Sequence, residues 1–82
     1  MPKSVFTSQY ETFRGLLIEA RQAENLTQAE LAERLGRPQS FVSKYERGER
    51  RLDVVEFLEV ARTLGLDPCE IIRKLQTGGG SA

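Results

Sequence analysis

Apolar residues recur along this chain at three- and four-residue spacing, in short segments punctuated by Gly, Pro and charged turns. The first such segment predicts a helix from about Gln9 to Glu24, with Tyr10, Phe13, Leu17 and Ala20 on one face. A second predicted helix, Gln28 to Leu35, turns Leu31, Ala32 and Leu35 inward and stops at Gly36. A third lies between about Gln39 and Arg47, with Val42 and Tyr45 inward and Gly48 ending it. The fourth, Val54 to Leu64, presents Val54, Phe57, Leu58 and Ala61 and is followed by Gly65. The fifth opens on Pro68, suited to a first helical position, and offers Ile71, Ile72 and Leu75. No segment alternates with the period of a strand over a useful length. The pattern predicts an all-α, five-helix bundle.

The helix starts carry a repeated polar signature. A Ser, Thr or Asp cap followed three residues later by Glu lets each side chain satisfy the other's orphan backbone N–H. That pattern stands at Ser8…Glu11, Thr27…Glu30, Asp53…Glu56 and Asp67…Glu70. The third helix lacks it, because Pro38 stands after Arg37 where a capping side chain would sit. These signals divide the chain into a flexible arm (residues 1–7), one folded domain (8–76) and a flexible Gly/Ser tail (77–82).

Eighty-two residues suffice for one domain with a modest core. There is no histidine, and Cys69 is the single cysteine. General acid–base, nucleophilic and metal constellations are therefore hard to assemble, and the reading is of a non-enzyme without metal or cofactor. Cys69, in the first turn of the fifth helix, is expected to pack as a small hydrophobe rather than to act as a redox switch. The lone thiol fits a reducing compartment, and no run resembles a signal peptide or a membrane span, so the expectation is cytoplasmic.

Net charge is zero, yet it is unevenly placed. Arg34, Arg37, Lys44, Arg47, Arg50 and Arg51 against Glu46 and Glu49 give residues 34–51 a charge of +4. Residues 52–70 carry −4, and Arg62 is their only base. A basic segment followed by an acidic one implies one face that meets an anion and another that does not.

The second and third helices meet the steric demands of a helix-turn-helix. Ala32 supplies the small side chain at their close approach, Gly36 the sharp turn, and Val42 the apolar residue sent back into the core. Gln39, Ser40, Ser43 and Lys44 are then left pointing outward, and such side chains can read base edges in a major groove. Phe41 is expected half-exposed, in reach of a thymine methyl.

Leu26-Thr27-Gln28-Ala29-Glu30-Leu31-Ala32-Glu33-Arg34-Leu35-Gly36, followed by Ser40-Phe41-Val42-Ser43-Lys44-Tyr45-Glu46-Arg47-Gly48, resembles the lambda-repressor-like, Cro and xenobiotic-response-element (XRE) family over roughly residues 10–72. The resemblance implies that Gln28 contacts phosphate and braces the recognition helix. It implies base contacts from Gln39, Ser40, Ser43 and Lys44, and phosphate contacts from Arg47, Arg50 and Arg51; Arg37, just before the third helix, is expected to contact phosphate as well. Arg21 and Glu46 match a pair that family members join by a salt bridge. Asp53 departs from the pattern: a carboxylate capping those N–H groups repels phosphate, so no contact is assigned there.

Family members commonly pair through C-terminal helices, which places Leu66, Ile71, Ile72 and Leu75 at a homodimer surface. The functional expectation is a sequence-specific regulator, a repressor, reading a near-palindrome in double-stranded DNA as a dimer. A protein-interaction module, or an antitoxin that also binds a protein partner, remains the alternative.

Overall fold

The computed structural model describes residues 7–79. The arm residues 1–6 and the tail residues 80–82 lie outside that span. Five α-helices follow one another: α1 (Ser8–Ala23), α2 (Gln28–Leu35), α3 (Gln39–Arg47), α4 (Val54–Leu64) and α5 (Pro68–Lys74). A π-type turn, Leu75–Gly79, continues α5, so the helical path enters the segment expected to be a loose tail.

The starts of α2 and α4 carry complete capping boxes. Thr27 accepts from Glu30 N while Glu30 accepts from Thr27 N, and Asp53 and Glu56 exchange the same pair of bonds. The other two expected boxes differ. Thr7, not Ser8, caps α1 by accepting from Tyr10 N at 3.0 Å. Starting one residue earlier leaves Glu11 free to pair with Arg14 at 2.9 Å. At α5, the Asp67 carboxylate accepts from Cys69 N, and Glu70 N bonds the Asp67 carbonyl instead. The Pro38 start of α3 has no side-chain cap. Gly36, Gly48 and Gly65 end α2, α3 and α4 in the left-handed conformation, which costs glycine little. Asn25, between α1 and α2, is the one non-glycine with positive φ among the described residues. Its short polar side chain tolerates that region better than most.

One core holds the bundle together. Leu17 of α1, Leu31 and Ala32 of α2, Val42 and Tyr45 of α3, and Phe57, Val60, Ala61 and Leu64 of α4 are all buried in it. The inward stripe of α4 is therefore Phe57, Val60, Ala61 and Leu64. Val54 and Leu58, expected to face inward, are exposed, Val54 at 73%. The four buried positions follow the i, i+3, i+4, i+7 rule, and the stripe they form is turned toward Val60, away from Val54 and Leu58. Phe41 is buried too, at 8% exposure, with its ring edge against Tyr45. This corrects the half-exposed placement that would have put it within reach of a thymine methyl. Cys69 is exposed, so it does not serve as packing.

The four residues expected at a dimer surface separate in the structure. Ile71 belongs to the core at 5% exposure, Leu66 and Leu75 pack against that core, and Ile72 alone is exposed. The fold consumes most of the apolar surface of α5 within the monomer, since α5 meets α4 and its continuation meets α1.

Candidate nucleic-acid interface

α2 and α3 pack on each other, and α3 is clamped from the other side by α1. Ala32, Leu31, Val42 and Tyr45 bury the seam between the helices. Burial of one face of a nine-residue helix leaves the opposite face to solvent, and that face carries Gln39, Ser40 and Lys44, all exposed, with Ser43 partly so. The Ser43 hydroxyl donates to the Ser40 carbonyl at 3.4 Å, a long bond within the helix's own turn.

The far end of α3 is held by a buried carboxylate. Glu46 is 6% exposed and lies within the reach of two other helices. Arg21 of α1 approaches it side-on, with Nε 2.8 Å from Oε2 and a terminal nitrogen 3.1 Å from Oε1. The remaining terminal nitrogen of Arg21 donates to the Leu26 carbonyl at 2.7 Å. Gln28, first residue of α2, donates from Nε2 to Glu46 Oε1 at 2.8 Å. Arg14 adds a bond to the Glu46 carbonyl at 2.6 Å. Together these bonds tie α1, α2 and α3 at one point. The hydrogen bond to Glu46 raises the Arg21 pKa above its ordinary value, and burial keeps the Tyr45 phenol far above its usual range, with the Glu46 charge adding to it.

The expected phosphate-contacting arginines surround α3, and each is already engaged. Arg47 and Glu49 meet at 3.1 Å across the turn after α3. Their mutual hydrogen bond raises one pKa and lowers the other. Arg50 forks onto both oxygens of Glu56 at 3.0 Å. That fork, with the Asp53 backbone N–H, holds the Glu56 carboxyl down at about 2. Arg37 bonds Glu59 at 2.9 Å. Arg37 and Arg50 also lie over the Phe41 ring, at 4.5 and 4.9 Å from its centroid, so a core residue of α3 positions two surface cations. Arg51 lies over Tyr10 at 4.7 Å, and Tyr10 Oη accepts from Leu52 N at 3.2 Å. The Arg50–Glu56 and Arg37–Glu59 partnerships were not legible in the sequence, because Glu56 and Glu59 stand in an acidic segment that reads as a separate face.

Among the described residues no group of His, Cys, Asp and Glu could hold a metal ion, and no helix is long and apolar enough to cross a membrane.

A helix-turn-helix family model matches residues 17–71, the span from the middle of α1 to the middle of α5. The chain belongs to the XRE-type helix-turn-helix family. Among solved structures it is similar to an XRE-family like protein from Pseudomonas syringae pv. tomato str. DC3000, with 56% sequence identity, a TM-score of 0.79 and coverage of 83% of each chain. No curated protein matches. The all-helical bundle is the lambda-repressor-like fold, and the domain is of the class found in DNA-binding regulators.

Proposed function

We propose that this XRE-family chain is a sequence-specific transcriptional repressor that reads a near-palindromic operator in double-stranded DNA as a homodimer. What supports the reading most is the face of α3. Gln39, Ser40 and Lys44 are exposed on it, Ser43 is partly so, and Arg37, Arg47, Arg50 and Arg51 surround it. Gln, Ser and Lys carry the donors and acceptors that match base edges in the major groove. The surrounding guanidiniums supply the sequence-independent attraction to phosphate. Gln28, locked to Glu46 by its amide, stands at the first position of α2, where the family resemblance implies a phosphate contact. A protein with this role works in the cytoplasm, beside the chromosome.

The homodimer draws on apolar surface that the monomer leaves uncovered. Val54 (73% exposed), Val55 (65%), Leu58 and Ile72 are the exposed large hydrophobics on α4 and α5. In this proposal α4 shares the pairing surface with Ile72. Two-fold pairing would set two copies of α3 about 34 Å apart, one turn of DNA.

Selection from a randomised duplex library at about 0.1–0.15 M salt tests the proposal. The expected result is enrichment of a near-palindrome whose half-sites lie about one helical turn apart. Salt-dependent retention without enrichment would reduce the protein to a nonspecific binder. No retained DNA would transfer the fold to a protein-interaction role.

A further inference from the structure

In the sequence Arg62 is an isolated base within the acidic stretch 52–70. The fold carries it elsewhere. Arg62 and Thr63 near the end of α4 line one open cleft with Arg34 of α2, and with Arg37 and Pro38 of the turn before α3. Glu59 stands on the same wall and holds Arg37 at 2.9 Å. Three guanidiniums against one carboxylate leave the cleft strongly positive. Arg34 and Arg62 are exposed and have no carboxylate or hydrogen-bond partner among the described residues, unlike Arg37, Arg47 and Arg50. Such free cations on a surface are self-repelling unless an anion joins them.

We propose that Arg34, Arg37 and Arg62 form one phosphate-binding groove that carries the DNA backbone past the N-terminal end of α3. This rests on the DNA-reading function above and adds two contacts, Arg34 and Arg62, to those expected from the sequence. Location decides the occupant. Pro38 lines the cleft and is the N-cap of α3, so the groove ends where the base-reading residues Gln39 and Ser40 begin. A backbone leaving the major groove beside α3 meets this wall next. The cleft is open along its length, which suits a passing polymer rather than an enclosed small anion. Glu59 acts as an internal competitor: while it holds Arg37, a phosphate must displace a carboxylate already in place. Stacking on Phe41 keeps the Arg37 guanidinium at the cleft after that exchange.

The test is fluorescence anisotropy of the full chain with its selected operator and with a random-sequence duplex, from about 50 to 200 mM salt. Arg34→Ala and Arg62→Ala should each make the slope of log K against log salt shallower by about 0.9, and weaken both duplexes by the same factor. Glu59→Gln should tighten both duplexes, an opposite sign that structural damage does not mimic. Slopes and affinities for Arg34→Ala and Arg62→Ala equal to wild type would overturn the groove. If those variants instead lost only binding to a polyglutamate peptide, the cleft would belong to an acidic protein partner and the proposal would fall. Wild-type protein that bound neither duplex would overturn the DNA-reading function itself, a separate failure.

Discussion

At the scale of single residues, Glu46 is the position on which most depends. It is a buried carboxylate whose bonds come from Arg21, Gln28 and, at its carbonyl, Arg14. Removing one member of a buried pair strands the other charge, so Arg21→Ala and Glu46→Ala should each lower stability by about 3–5 kcal/mol in chemical denaturation. Arg50→Ala removes a half-buried cation from a partly solvated pair and should cost about 1 kcal/mol or less. Equal losses for all three variants would contradict this assignment. Glu56 makes a pH prediction. Its carboxyl sits at about 2 in the folded protein, below its ordinary range near 4.3. A depressed carboxyl stabilises the fold while ionised, so this contribution is complete above about pH 4.3 and disappears as the pH falls to about 2. Glu56→Gln keeps a side chain able to complete the capping box. The Tm advantage of wild type over Glu56→Gln should therefore be constant above about pH 5 and shrink between about pH 4 and 2. The Tyr45 hydroxyl is a different case: it is buried without a hydrogen-bond partner among the described residues. Because it contributes no bond to offset its desolvation, Tyr45→Phe should leave stability unchanged or raise it by up to about 1 kcal/mol. A substantial loss would mean that the hydroxyl has a partner.

Among the elements, α2 and α4 were legible to the residue. Each has a reciprocal cap at its start and a glycine at its end, two independent signals that agree. At α1 the Glu at the third position after Ser8 pointed to Ser8, whereas the cap is Thr7, one residue earlier. Which hydroxyl meets a backbone N–H depends on where the chain enters the helix, and spacing alone does not fix that. Thr7→Ala should cost about 1 kcal/mol, and Ser8→Ala, at the first helical position, much less. The reverse order in thermal melts would restore the Ser8 cap. The α4 stripe was misassigned for a related reason: valines and leucines stand on both sides of that helix, and periodicity cannot say which side is covered. Its outer residues Val54, Val55 and Leu58 became visible only against the packed bundle. Phe41 was misplaced because its burial comes from joining the core and from the Arg37 and Arg50 guanidiniums that cover its ring, and spacing alone does not report that cover. The outward face of α3 was legible, since Val42 and Tyr45 left only one side for Gln39, Ser40 and Lys44.

Over the whole molecule, folding redraws the charge map. The acidic segment 52–70 is not a separate negative face: Glu56 and Glu59 fold back onto Arg50 and Arg37, and Arg62 joins the basic cleft. A chain with no net charge can thus present a local surface that suits DNA while its phosphate-directed arginines are held in place by internal carboxylates. The same scale governs assembly. If Val54, Val55, Leu58 and Ile72 pair two copies, Val55→Glu should convert a dimer to a monomer in analytical ultracentrifugation while leaving the Tm of the monomer fold nearly unchanged. A wild-type monomer at micromolar concentration, with and without operator DNA, would remove the dimer from the account. The central claim is narrower than assembly: the exposed side chains of α3 read bases. It is tested most directly by repeating the duplex selection with Gln39, Ser40, Ser43 and Lys44 each replaced by alanine. Each variant should lose base preference at its own position of the half-site, worth about 1–3 kcal/mol for a bidentate contact, and keep the rest of the motif. Four variants that select the wild-type motif unchanged would contradict it.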